Sequence, residues 1–209
     1  MKTLSYLTLI FSLLFFSCGS EVKKQYDLSE IARKYQSGQV IEAQKDLELY
    51  VAKEKNNELA WTILGNIYED TDKDSLAAIA YENALGVNPE MVEAITGLGI
   101  LSRKKEAYDQ AAKYYYKALA IDPNYAQAYS SLVTIHILNE EFDAAAGVGL
   151  KAFKLDPQDP VIAANLSVAY HYVDNTVERD KFYLIAENLG YSNIAGLKDI
   201  FSNDLVLVK

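Results

Sequence analysis

Residues 108–129, YDQAAKYYYKALAIDPNYAQAY, read as helix, stop, helix. Ala111, Tyr115 and Ala118 recur at intervals of three and four and so share one helical face. Asp122-Pro123 ends that helix. Proline lacks the backbone N–H, its ring clashes with the preceding turn, and it drives the residue before it toward extended geometry. Ala126-Gln127-Ala128-Tyr129 then restarts a helical pattern. The same stop recurs, for Pro89, Pro123 and Pro157 stand 34 residues apart, in VNP, IDP and LDP. A fixed period of this size marks a stack of supersecondary units, none of which buries its apolar face alone.

Laid out on that period, residues 58–91 carry Trp61, Leu64, Gly65, Tyr68, Ala77, Tyr81, Ala84 and Pro89. Residues 92–125 carry Ile95, Leu98, Gly99, Ser102, Ala111, Tyr115, Ala118 and Pro123. Residues 126–159 carry Tyr129, Leu132, Val133, His136, Ala145, Gly149, Ala152 and Pro157. The order of a large residue, Leu-Gly, Tyr, Ala, an aromatic, Ala and Pro resembles the tetratricopeptide repeat. The resemblance implies an all-α fold, a right-handed α-solenoid of stacked antiparallel helix pairs. It is strongest from Glu58 to Pro157 and extends over roughly 27–190. A degenerate fourth repeat fits 160–193, with Leu166, Ser167, Tyr170, Tyr183 and Ala186 in pattern and Arg179 where alanine belongs. Asp159 is its expected N-cap, with Pro160 at the first helical position. Upstream, 27–57 reads as an N-terminal capping helix pair broken at Gly38, with Ala43 and Leu47 in pattern. The remaining 194–209 gives a C-terminal helix and an apolar tail, DLVLVK.

Two packing expectations follow. Paired helices should cross closely where side chains are small, at Gly65 with Ala77 and at Gly99 with Ala111. The third repeat, with Val133 for glycine and Gly149 for the aromatic, should pack differently, with Phe153 filling the space.

Composition agrees with a packed helical chain. Half of the 209 residues are hydrophobic, 16 are tyrosine, and the four prolines all sit at repeat boundaries. A net charge of −9 argues against nucleic acid and against peripheral binding to anionic lipid, since both draw on a basic patch.

The first 17 residues read as a signal peptide, with Lys2 followed by an apolar core from Leu4 to Phe16, too short for an ordinary membrane span. The stretch Ser17-Cys18-Gly19 resembles the lipobox of bacterial lipoproteins, although Phe15 and Phe16 are bulkier than the usual residues there. The resemblance implies a lipoprotein signal peptide over 1–17 and acylation (palmitate among the chains) at Cys18, the only cysteine. Residues 18–26 would then be a polar tether. The alternative is a plain secretory signal with an incidental cysteine. Several acyl chains hold a protein to a membrane without a spanning helix.

Sites of chemistry are sparse. His136 and Glu140, spaced i, i+4, could put two metal ligands on one face, but no third is evident and His136 occupies the place of a repeat tyrosine. Gly97-Leu98-Gly99 lacks the third glycine and the preceding strand of a dinucleotide loop. The run Glu69-Asp70-Thr71-Asp72-Lys73-Asp74 falls in a turn and does not have EF-hand spacing. No Walker loop, nucleophile elbow or His-Glu-x-x-His occurs. No cofactor, metal, small-molecule substrate or enzymatic activity is inferred. Tyr114 and Tyr116, on either side of core Tyr115, are interface anchors or packing against the next repeat.

The remaining candidate is the concave face, which in the resembled family is lined by the first helix of each repeat. Carrying the offsets across names Thr62, Asn66, Glu69, Thr96, Ile100, Arg103, Ser130, Thr134, Ile137, Ala164 and Val168. Some relatives clamp an acidic C-terminus there with basic and amide side chains. Asn66 fits that clamp, but Thr62, Gly97 and Gln127 stand where other clamp groups belong, so that ligand class is rejected. The resulting expectation is a non-catalytic protein–protein interaction adaptor or assembly factor at the bacterial cell envelope, exported and lipid-anchored, with an envelope protein or peptide segment as partner. The alternatives are a self-assembling scaffold and a regulatory accessory of an envelope enzyme.

Overall fold

The computed structural model describes residues 27–203. The signal-like segment, Cys18 with its tether, and tail residues 204–209 lie outside the described residues. Eleven helices follow one another: α1 Leu28–Gln36, α2 Val40–Lys53, α3 Glu58–Asp70, α4 Asp74–Val87, α5 Val92–Lys104, α6 Tyr108–Ile121, α7 Ala126–Leu138, α8 Phe142–Leu155, α9 Pro160–Tyr172, α10 Thr176–Asn188 and α11 Ile194–Asn203. No strand occurs among the described residues. The helices α3, α5, α7 and α9 begin at residues 58, 92, 126 and 160, and α4, α6, α8 and α10 at 74, 108, 142 and 176, each a step of 34.

The turns keep the same step. Inside each hairpin one residue takes left-handed backbone: Gly38 (φ 82°), Asp72 (55°), Glu106 (58°), Glu140 (62°) and Asp174 (56°). The next residue donates its N–H back into the helix, Gln39 to Lys34, Lys73 to Tyr68, Ala107 to Ser102, Glu141 to His136 and Asn175 to Tyr170, at 2.8–3.0 Å. This is the Schellman closure, which satisfies carbonyls orphaned at a helix end. Between hairpins a side chain does the work. Asn88, Asp122 and Asp156 accept from the N–H groups of Glu90, Asn124 and Gln158 at 3.0, 2.9 and 3.1 Å. Each carboxyl or amide mimics a turn acceptor, while the intervening proline presets φ. Asp159 caps α9 by accepting from Val161 N–H at 2.7 Å, and Pro160 is the first helical residue.

Curvature follows from which helices meet. The odd-numbered helices touch in succession from α1 to α11, whereas no two even-numbered helices meet. The odd helices therefore crowd the inner, concave side and the even ones splay outward.

The glycines at the helix crossings have a different partner from the one expected. A β-carbon at Gly65 would lie 2.5 Å from Cε1 of Tyr81, and one at Gly97 would lie 2.4 Å from its Cζ. The fully buried Tyr81 ring of α4 thus lies between α3 of its own repeat and α5 of the next. Its hydroxyl donates to Asn66 Oδ1 at 2.8 Å. Gly99 stands in the same relation to Tyr115, at 2.5 Å from Cε1. At Gly65 and Gly99 alike the atoms nearest the missing β-carbon belong to a tyrosine ring. In the third repeat Gly149 replaces the ring, and Leu166 Cδ2, 2.7 Å from the position of its missing β-carbon, fills the gap together with Val133. Phe153, expected from sequence to fill that space, is not among the nearest atoms there and meets Phe182 edge to face at 5.2 Å. In the last repeat Phe182, not the adjacent Tyr183, is the fully buried aromatic, stacked on Tyr170 at 5.7 Å. Helix α11 closes this end against α9 and α10, with Phe201 under the guanidinium of Arg179 at 5.4 Å. That cation–ring contact gives the departure from alanine at residue 179 a structural use.

Gly97→Ala should lower unfolding free energy in urea melts by roughly 1–2 kcal/mol, because overpacking a ring that cannot move outweighs the helix-propensity gain. Gly86→Ala, on α4 where a β-carbon meets nothing within 4 Å, should be neutral or stabilising by up to about 1 kcal/mol. Equal responses at the two positions would contradict the wedge.

Candidate functional site

The inner face is a succession of odd helices, so its exposed positions repeat with the period. The eleven side chains inferred from sequence divide into two groups. Thr62, Thr96, Ile137, Ala164 and Val168 are buried. The hydroxyls of Thr62 and Thr96 donate to their own helices, to the carbonyls of Glu58 and Val92 at 2.8 and 2.9 Å. These five side chains are packed inside the stack. Asn66, Glu69, Ile100, Arg103, Ser130 and Thr134 are half-buried and stay within reach. Thr134 accepts a hydrogen bond from Asn165 Nδ2 at 3.3 Å.

Three of the accessible six, Asn66, Glu69 and Ile100, come together in one cleft of about 240 Å³. Its other walls are Tyr35 of α1, Asp70 of α3, Tyr81 of α4, Glu93 and Gly97 of α5, Tyr125 in the turn before α7, and Gln127 of α7. Five helices and one turn build it, and the stacking register alone brings them to one place. Residues 35, 69 and 103 occupy one repeat position, 66 and 100 another, and 93 and 127 a third.

The cleft is aromatic and acidic, and among the described residues no lysine or arginine lines it. Tyr35 donates its hydroxyl to the Asp70 carboxylate. Tyr125 donates to Gln127 Oε1 at 2.8 Å, and its phenol is pushed up to about 12 by burial, with the Glu93 carboxylate adding to the effect. Burial also raises the Tyr81 phenol, helped by Glu69. Among the described residues no hydrogen bond or ion pair holds the Glu69 carboxyl. Burial pushes its pKa up, while the more distant charges of Lys104 and Arg103 pull it down. The Lys104 ammonium is engaged elsewhere, at 2.7 Å from Asp74 and 3.4 Å from Asp72.

The sequence pattern gives Tyr81 a purely structural part and Asp70 a place in an acidic turn, and it does not single out Tyr35, Glu93 or Tyr125. In the sequence Gly97 and Gln127 mark places where a carboxylate clamp fails, and Gly97 also belongs to an incomplete dinucleotide loop. The missed signal was the register, since residue 93 is repeated at 127 and residue 35 at 69.

The other singled-out groups have local partners. His136 Nδ1 lies 2.6 Å from Glu141 Oε2, and its Nε2 lies 3.5 Å from the Tyr116 hydroxyl. The histidine reaches Glu141 across the turn. No group of three or more potential metal ligands occurs among the described residues. Tyr114 is half-buried against the core, whereas Tyr116 is 52% exposed. The Tyr115 hydroxyl is buried beside the Ser131 and Arg103 side chains. No described helix is long and apolar enough to cross a membrane, and Cys18 lies outside the described residues.

Residues 74–126 match a family model described as tetratricopeptide repeat. No curated protein matches the sequence. Among solved structures, PilF of Pseudomonas aeruginosa superposes with a TM-score of 0.72 at 15% identity, over 85% of this chain and 83% of that one. PilW, a widely conserved type IV pilus biogenesis factor, gives 0.69 at 19% identity, over 78% and 75%. YrrB, a tetratricopeptide repeat protein with an unusual peptide-binding site, gives 0.59 at 18% identity, over 82% and 88%. At these identities the likeness is one of fold.

A carboxyl whose pKa is raised in the fold disfavours its own ionised form there. Stability is then fully present below the unfolded-state pKa and declines as pH rises through the folded one. Glu69→Gln should therefore melt at or above the wild-type temperature near neutral pH, with the difference shrinking toward roughly pH 4. A lower melting temperature at neutral pH would show that the ionised carboxylate supports the fold.

Proposed function

We propose, for a chain whose residues 74–126 match a tetratricopeptide repeat model and whose described helices resemble the fold of such a protein, a non-catalytic adaptor or assembly factor at the bacterial envelope. Its inner face receives a segment of a partner protein, and acylated Cys18 holds it to the membrane. The observation that carries this reading is the inner cleft. It is concave, built by successive repeats, and lined by side chains that include an unpaired, half-buried carboxyl. Groups left in that state cost stability in a scaffold and gain a use when a ligand satisfies them.

Support for the envelope comes from the lipobox resemblance at Ser17-Cys18 and from the pilus-biogenesis role of PilW, a protein of similar fold. Support for a peptide-like ligand comes from YrrB, whose fold is similar and which has a peptide-binding site. The division of the chain into a signal peptide (1–17), a tether (18–26), a capping pair (27–57), repeats at 58–91, 92–125, 126–159 and 160–193, and a C-terminal helix and tail (194–209) belongs to the same proposal.

The convex side offers a second surface. Leu76 and Ile79 of α4 are 44% and 54% exposed beside a cleft of about 330 Å³ lined by Val51, Trp61 and Tyr68. A photocrosslinking residue at Gln127 should trap a partner in intact cells, whereas the same residue at Ile79 should not. The reverse pattern moves the partner to the convex face, and adducts that contain only this chain would favour a self-assembling scaffold. For the anchor, labelled fatty acid should enter the wild type, and Cys18→Ala should lose both label and membrane association. Absence of label from the wild type would refute acylation.

A further inference from the structure

We infer that the inner cleft is a receptor for one basic side chain, a lysine or arginine on the partner segment. The inference rests on the inner-face reading above and specifies what enters there. Size limits the occupant first. A cleft of about 240 Å³ holds less than one turn of a helix, which is about 10–12 Å across and 5.4 Å in pitch. It suits one long side chain entering end-on from a segment lying along the groove.

Charge then selects the kind. Glu69, Asp70 and Glu93 come from two helices into the same walls, with no lysine or arginine among the lining residues. Asp70 accepts the Tyr35 hydroxyl, while Glu69 and Glu93 have no hydrogen-bond or ion-pair partner among the described residues. An entering carboxylate would meet three like charges, and an entering apolar group would bury the Glu69 carboxyl unpaired. A guanidinium or ammonium gives Glu69 and Glu93 charge-assisted hydrogen bonds.

The rings complete the fit. Tyr35, Tyr81 and Tyr125 line the cleft from α1, α4 and the α7 entry turn, and aromatic faces attract a cation and cover its methylene stem. The amides of Asn66 and Gln127 are already oriented, because each oxygen accepts a tyrosine hydroxyl, from Tyr81 at 2.8 Å and from Tyr125 at 2.8 Å. The corresponding place one repeat further on has the opposite character. Arg103 stands where Glu69 does, Lys104 where Asp70 does, and Ile100 where Asn66 does. The acidic cleft is therefore a single seat, and it sets the register of the bound segment.

The test is selection of a random dodecapeptide library on the full-length chain, followed by affinity measurements on synthetic selected peptides. Enriched peptides should share one lysine or arginine, and replacing it by norleucine should weaken binding by about tenfold or more. Glu93→Gln, at an exposed position remote from the core, and Glu69→Gln should each cause a similar loss and flatten the salt dependence. Circular dichroism melts would confirm that both variants are folded. Peptides that bind the inner face, shown by crosslinking to Gln127, but carry no shared basic residue would overturn this inference and leave inner-face binding standing. Peptides that crosslink elsewhere, or a library that yields no binder, would overturn both.

Discussion

The architecture depends on one aromatic ring held between two glycines of successive repeats. Tyr81 leaves α4, passes Gly65 of its own hairpin and reaches Gly97 of the next, at separations that leave no room for a β-carbon on either. The contact does two jobs at once. It buries a large ring completely, removing from water an area typical of core aromatics, and it fixes the separation of α3 and α5. With the outer helices kept apart and the inner ones in succession, the stack curves. Its hydroxyl then crosses to Asn66 on the inner face, so the residue that sets repeat spacing also shapes the cleft.

Much of the fold was legible in the sequence because repetition writes the same constraint several times. Pro89, Pro123 and Pro157 fix the period, and Ala77, Ala111 and Ala145 with Ala84, Ala118 and Ala152 mark the buried face of the outer helices, all fully buried in the structure. Less legible were the turns inside hairpins. Four of the five left-handed positions are Asp or Glu, residues with no strong local signature for that backbone, and only Gly38 announces itself. There the closure is dictated by two helices already packed, a tertiary constraint that no local pattern reports. The third and fourth repeats show the same limit. Replacing a ring by Gly149 let Leu166 move in from α9, and the buried aromatic of the last hairpin shifted by one residue to Phe182.

The site was only half legible, for a related reason. Offsets borrowed from one repeat cannot say which positions neighbouring helices will cover. Thr62 and Thr96 satisfy themselves within their helices and disappear from the surface, whereas Glu69, two turns on from Thr62, stays open. Tyr35, Glu93 and Tyr125 lie far from Glu69 in sequence and meet it only because hairpins stack in step. Burial then gives the cleft its chemistry. The chain as a whole is acidic, and the inner cleft gathers half-buried Glu69 with the exposed Asp70 and Glu93 beside three tyrosine rings. Variation between repeats, not their sameness, makes this place distinct, since the next repeat offers Arg103 and Lys104 at the same positions.

The most direct measurement of the central claim is a double-mutant cycle between Tyr81→Leu and Gly97→Ala, read as urea unfolding free energies of the full chain. If the ring wedged against Gly97 sets the repeat spacing, removing the ring opens space for the new methyl. The cost of Gly97→Ala should then largely vanish in the Tyr81→Leu background, a coupling on the order of 1 kcal/mol or more. Strict additivity of the two substitutions would contradict the account.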